Sequence, residues 1–153
     1  MNKKGVTLIE LLVVLVIIAI GATLMVPSIG PWMSNYRLRS ATRDVVSTMR
    51  TAQMKAISTS LTYQVLFTPA GSPTSYILQY LTTAGIAIDD GVAQNLPSGV
   101  SIPVITFPGS IALFNSNSTA TAGSLTLKGT RGAKIIGTKT ITVTPSTGRC
   151  TIN

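Results

Sequence analysis

The sequence predicts an α+β fold, in which a long, kinked N-terminal helix packs the second half of its length against a mostly antiparallel β-sheet head. Three observations predict it: an apolar run over residues 6–26, a helical period of apolar residues after it, and short β-prone segments thereafter. The 153 residues allow one modest domain with an appendage. We expect a leader over 1–5, an apolar half-helix over 6–31, an amphipathic half-helix over 32–60 and a β-rich head over 61–153.

The composition is apolar and basic, with 45% hydrophobic and 10% charged residues, a mean hydropathy of +0.45 and a formal net charge of +8. The chain has one cysteine, Cys150, and no histidine, which excludes an intrachain disulfide and a His/Cys metal cluster. Acidic residues are also few, so the usual acid–base and nucleophile sets of enzymes cannot be assembled. We therefore expect no enzyme and no cofactor, and we expect Cys150 to pack as a small apolar side chain.

The apolar run over 6–26 predicts a membrane helix. At about 1.5 Å per residue it is about 32 Å long, close to the thickness of a hydrocarbon core. Lys3 and Lys4 precede it and should keep the N-terminus in the cytoplasm. The run is longer than that of a secretory signal, so we expect it to be retained. Pro27 and Pro31 predict a kink where it ends.

An amphipathic helix is expected beyond the prolines, over roughly residues 32–59. Apolar or small residues recur there at steps of three and four, which is the spacing of one helical face. They are Leu38, Ala41, Val45, Met49, Ala52 and Ala56. Arg39, Arg43 and Arg50 fall on another side of the helix.

From residue 61 onward, short segments rich in β-branched and aromatic residues are separated by turn-forming clusters. The expected strands are 61–68, 75–81, 100–107, 124–128, 138–144 and 149–152. The stretches 89–97 and 115–123 are expected loops. The adjacent carboxylates Asp89 and Asp90 are too few for a calcium site and are expected to be solvated.

Glu10 is a carboxylate within the apolar run. At the centre of a membrane helix such a charge costs about 2.5–3.5 kcal/mol, and somewhat less near the end, where Glu10 lies. One interpretation is that Glu10 reaches the cytoplasmic interface beside Lys3 and Lys4. The other interpretation depends on the residues around it.

The stretch Gly5-Val6-Thr7-Leu8-Ile9-Glu10-Leu11 resembles the type III signal of type IV pilins and pseudopilins. That signal is a short basic leader ending in Gly, a hydrophobic residue and then T-L-[IV]-E-[LV]. Pro27 also lies where these families keep a proline, whereas Val6 replaces their usual Phe.

The resemblance implies a pilin-like fold and cleavage by a membrane prepilin peptidase between Gly5 and Val6, with N-methylation of the new amine. It implies a structural subunit of a type IV pilus or a type II secretion pseudopilus. Such a subunit passes from the inner membrane, through inner-membrane assembly machinery, into a periplasmic or extracellular filament of the same or other pilins. Val6, Glu10 and Pro27 would serve filament assembly. There, Glu10 would pair with the Val6 ammonium of a neighbour, which makes its burial less costly and selects one axial register.

The head resembles that of GspH/FimT-type minor pilins over three stretches. Residues 52–57 are similar to their helix end, although Gln53 replaces the usual Arg. Residues 111–127 are similar to their penultimate hairpin, and residues 141–152 to their closing strands. These similarities favour a minor subunit, while a major pilin stays open.

An alternative function is a DNA-binding minor pilin of natural transformation. Some FimT-like members bind DNA through a terminal Gly-Arg-x-Arg, of which Gly148 and Arg149 match and Thr151 does not. A cationic edge that would neutralise phosphates also includes Lys128, Arg131, Lys134 and Lys139. The competing interpretation is a solvated hairpin whose charges discourage edge pairing. The lack of interleaved aromatic residues favours the latter.

Overall fold

The computed structural model describes residues 6–25 and 29–153, and it has the predicted α+β architecture. The two helices are α1 (Leu8–Met25) and α2 (Ile29–Thr59). The chain divides into two compact units between Met33 and Ser34. The predicted leader and the predicted kink residue Pro27 lie outside the described residues.

Helix α1 is apolar on every side, and its large side chains are exposed. Those from Leu8 to Ile20 are between 49% and 82% exposed. Within the described residues, no helix has both the length and the apolar character that a membrane crossing requires.

Helix α2 buries the face that its sequence period predicts. Leu38, at 4%, is the most exposed of the six predicted side chains. The buried face is wider than predicted, because Val46 and Thr42 are also buried. Thr42 meets its hydrogen-bonding need within the helix, since its hydroxyl donates to the carbonyl oxygen of Leu38 at 2.7 Å.

Two antiparallel sheets follow α2 in the chain. The strands are β1 (Thr62–Thr68), β2 (Ser75–Leu81), β3 (Ala87–Asp89), β4 (Gln94–Asn95), β5 (Val100–Ile105), β6 (Ile111–Phe114), β7 (Gly123–Arg131), β8 (Lys134–Val143) and β9 (Cys150–Ile152). Sheet A has the order β3-β2-β1-β6, with β4 also paired to β2, and sheet B has the order β5-β7-β8-β9.

The predicted strands are confirmed in position, with differences in extent. Strands β7 and β8 are longer than predicted, because the hairpin continues past the opposed pair Gly129 and Gly137. Glycine is unfavourable within strands, so these two glycines concealed the extension in the sequence. Gly129 has no side chain, and this leaves space for Leu38, which lies 3.2 Å from where a Cβ of Gly129 would be. The predicted loop over 89–97 is wrong in part, since Asp89 ends β3 and β4 lies within it.

One apolar core joins α2 to both sheets. Met49 and Val45 of α2 are fully buried together with Phe67 of sheet A and Leu125 and Ile141 of sheet B. Every residue of this core lies between Leu38 and Cys150. Its burial is the main favourable contribution to the stability of the head.

Candidate functional site

The N-terminal motif forms the first turn of α1. The amide N–H of Glu10 donates to the carbonyl oxygen of Thr7 at 3.1 Å and to its hydroxyl at 3.3 Å, and the N–H of Leu11 donates to the same carbonyl at 3.2 Å. Thr7 is therefore the N-cap, and the T-x-x-E spacing is that of a capping box. The sequence interpretation missed this local role, although a Thr three residues before a Glu and an apolar run is its recognised signal.

The carboxylate of Glu10 lies exposed in the first turn of α1, where the helix dipole favours negative charge. In sequence it is the only acidic residue before Asp44. Val6, the residue before the cap, is 71% exposed. Gly5 and Pro27, the other residues predicted for processing and assembly, lie outside the described residues. This end of the chain therefore presents one carboxylate that a cation from outside the chain can reach.

The five basic residues predicted for nucleic-acid binding do not share one face. Lys139 lies opposite the buried Leu127 in the β7–β8 ladder, so it is on the inner face of sheet B. Lys128 is one residue along from Leu127 and points to the outer face. Arg131 and Lys134 oppose each other at the hairpin end. Arg149 is exposed just before β9.

Part of this cationic hairpin borders a free sheet edge. Strand β9 pairs only with Ile141, Thr142 and Val143 of β8, so among the described residues the first part of β8, which carries Lys134 and Lys139, has a neighbouring strand on the β7 side alone. That charges there discourage edge pairing therefore stays a prediction.

The Gly-Arg turn before β9 is held against α2. Gln53 donates from Nε2 to the carbonyl oxygen of Thr147 at 2.7 Å. Gly148 has a φ of +62°, and its N–H donates to the carbonyl oxygen of Thr144 at 2.8 Å. A Cβ at Gly148 would lie 2.8 Å from Gln53 Nε2. Its positive φ and the nearby Gln53 therefore favour glycine at position 148, independently of any role in binding DNA.

The adjacent carboxylates of Asp89 and Asp90 both accept hydrogen bonds from other side chains of this chain. Lys55 of α2 donates to Asp90 at 2.7 Å, and this hydrogen bond raises the pKa of Lys55. Gln79 donates to Asp89 at 2.7 Å. In the part of the chain that the structure describes, no three His, Cys, Asp or Glu side chains come together as metal ligands would.

Cys150 is buried beside α2, as predicted for a small apolar side chain. Its Sγ lies 3.9 Å from Sδ of Met49. Burial raises the pKa of the Cys150 thiol to about 11, so the thiol stays protonated and unreactive at neutral pH.

Comparison with known proteins gives two findings. Residues 1–26 match the prokaryotic N-terminal methylation motif. The fold is similar to that of the type IV minor pilin FimU of Pseudomonas aeruginosa PAO1 in two crystal forms. In space group P21 the identity is 14% and the TM-score 0.60, covering 80% of this chain and 92% of FimU. In space group P65 the identity is 14% and the TM-score 0.56, covering 75% and 91%. No curated protein matches the sequence.

The motif and the fold agree with each other and confirm the resemblance to type IV pilins. The fold of the described chain is therefore similar to that of a type IV minor pilin.

Proposed function

We propose that this chain, which combines the prepilin-type methylation motif with the fold of a type IV minor pilin, is a structural subunit of a pilus or secretion pseudopilus. The observation that carries the proposal is the position of Glu10, a lone carboxylate in the first turn of an otherwise apolar helix. Such a helix is stable in water only when something outside the chain covers it.

Assembly would provide that cover in two stages. Before assembly, the motif implies anchoring in the inner membrane with the head outside the cytoplasm. After assembly, neighbouring subunits would replace lipid around α1 in a periplasmic or extracellular filament. The exposed apolar side chains of α1 favour both stages, because neither lipid nor a helix bundle leaves them in water.

Processing would supply the partner of Glu10. Cleavage between Gly5 and Val6 removes Lys3 and Lys4 and creates a positively charged amino terminus at Val6. Within a filament, this ammonium of one subunit would neutralise Glu10 of its neighbour. The pair selects one axial register, because any other register leaves a buried carboxylate unpaired.

Replacing Glu10 with glutamine tests the pairing. Glu10→Gln keeps the size and the cap geometry but removes the charge. Removing one partner of a buried ion pair costs about 3–5 kcal/mol, so we expect incorporation into sheared filaments to fall more than about tenfold. Intact mass should show normal cleavage and methylation.

The matched control lies in the same helix. Thr23→Val removes a hydroxyl that donates to the carbonyl oxygen of Ile20 at 2.7 Å, a contact with no role in the pairing. It should leave filament yield unchanged. A normal yield from Glu10→Gln, or filaments in which Glu10 and the neighbour's amino terminus lie far apart, would refute the pairing.

A variant at Gly5 tests the processing step separately. Gly5→Leu should leave the leader attached, so its intact mass should exceed that of the processed wild type by the mass of the variant's five leader residues less the methyl group that only the processed chain carries. A processed mass for this variant would count against prepilin peptidase as a partner.

DNA binding by the head has less support as a second function. The cations predicted for it divide between the two faces of sheet B and the hairpin end, and a DNA backbone would need them in a continuous row. Electrophoretic shift of an oligonucleotide by the full chain in low salt tests this alternative.

A further inference from the structure

A recess between α2 and sheet B brings three cations together. It has a volume of about 290 Å³ and is lined by Arg39, Thr42, Arg43, Lys139 and Ile152. Arg39 and Arg43 are one helical turn apart, so their side chains lie on one face of α2. Lys139 reaches the recess because it is on the inner face of sheet B, opposite Leu127. Three positive side chains from two elements therefore border one opening.

None of the residues that line the recess is acidic. Among the described residues, 6–25 and 29–153, Lys55 and Asp90 form the one ion pair. Asp44 lies one helical turn before Thr48, which lines a separate recess together with Tyr76 and Leu78 of sheet A. Asp89 accepts a hydrogen bond from Gln79 of the same sheet. The three acids of the head thus lie on the sheet A side, and none of them lines the recess.

We infer that this recess receives an acidic side chain of a different subunit in the same filament, an inference that rests on the proposed function. Its size suits a carboxylate side chain, and its arginines present the planar donors that carboxylates prefer. Charge complementarity with an acidic partner would also neutralise cations that otherwise repel one another.

A second copy of this chain is a poorer occupant. All basic residues except Lys3 and Lys4 lie beyond residue 36, whereas the acids there are only Asp44, Asp89 and Asp90. Two such heads repel each other at short range. A nucleic acid is also poorer, because the recess is compact, and Lys128, Arg131 and Lys134 do not continue it along one face.

The test uses the purified full chain in micelles of an uncharged detergent, titrated with a fluorescent hexaglutamate peptide at low and moderate salt. Arg39→Gln, Arg43→Gln and Lys139→Gln should each weaken peptide binding by about two- to fivefold, which is the usual range for an exposed ion pair. Lys128→Gln is the matched control, because it removes an equal charge from the outer face of the same hairpin and should leave binding unchanged.

Three outcomes would overturn the inference. One is a loss in Lys128→Gln as large as that in the recess variants, which would mean attraction by net charge alone. Another is tighter binding of a twenty-nucleotide oligothymidylate than of hexaglutamate at equal salt, with the same dependence on the recess. The third is self-association of the wild type that the recess variants lose, which would make the occupant a second copy.

The result is independent of filament formation, because binding is measured on the unassembled chain. If Glu10→Gln assembles normally while the recess still binds hexaglutamate, the pairing in the proposed function fails and the carboxylate site stands. If filaments depend on Glu10 but the recess variants bind the peptide like the wild type, only this inference fails.

Discussion

Replacing Gly148 with alanine tests how the Gly-Arg turn is held on the helix. Its φ of +62° costs a residue with a Cβ about 1–2 kcal/mol. The new Cβ would lie 2.8 Å from Gln53 Nε2 and 3.0 Å from the carbonyl oxygen of Ser118. Gln53 would have to move and lose its 2.7 Å hydrogen bond to Thr147, worth about 0.5–1.5 kcal/mol. We expect Gly148→Ala to lower the free energy of unfolding by about 1.5–3.5 kcal/mol.

Gly132→Ala is the matched control, because Gly132 has nearly the same φ, +59°, and nothing within 4 Å of its added Cβ. It should cost only the conformational part, about 1–2 kcal/mol. Urea unfolding of the full chain in detergent micelles, followed by circular dichroism, measures both. Equal losses in the two variants would refute the role of the contact with α2.

A double-mutant cycle assigns that contact to Gln53. In a Gln53→Ala background, the amide that a Cβ at Gly148 would strike is absent, so Gly148→Ala should cost less than in the wild type. We expect a coupling of about 0.5–1.5 kcal/mol between the two changes. Additive losses would show that Ser118 or the backbone alone opposes the substitution.

Three further predictions concern the head. Iodoacetamide at pH 8 should leave Cys150 unmodified until urea unfolds the chain, since burial raises its pKa to about 11; rapid labelling of the native chain would contradict this. Burial also raises the pKa of Tyr76, so at alkaline pH the folded chain binds more protons than the unfolded chain. The free energy of unfolding should therefore fall as the pH rises from about 9 towards 11. Cys150→Ala should make this pH dependence less steep, because it removes one of the two groups. Lys55→Gln breaks an ion pair whose side chains are 42% and 28% exposed, so urea unfolding should show a loss of no more than about 1 kcal/mol; a loss as large as that of Gly148→Ala would show that the pair is worth more than its exposure allows.

Much of the fold was predictable because its signals are local. The period of three and four residues over Leu38 to Ala56 identified the buried face of α2, and β2 was predicted at its observed bounds. Strands β3, β4 and β6 were not among the predicted strands; β3 and β4 have three and two exposed residues and so no pattern of their own, and β6 has only four residues. Strands β3 and β4 form because each pairs with β2 through backbone hydrogen bonds.

The candidate sites also differ in whether the sequence alone could locate them. The motif around Glu10 is contiguous in the chain, so its residues could be selected without a structure. The cations could be counted but not placed, because whether Lys139 faces α2 or solvent depends on the register of β8 against β7. The N-cap role of Thr7 could have been predicted from the sequence and was overlooked.

The sequence by itself determined the apolar helix with its lone carboxylate, the basic charge, the absence of histidine and the small number of acids, because these follow from residue types and short spacings. Tertiary structure decided that Gln53 holds the turn at Thr147, and that Arg39, Arg43 and Lys139 border one recess. Those contacts join residues about a hundred positions apart, and only the docking of α2 on sheet B brings their side chains together.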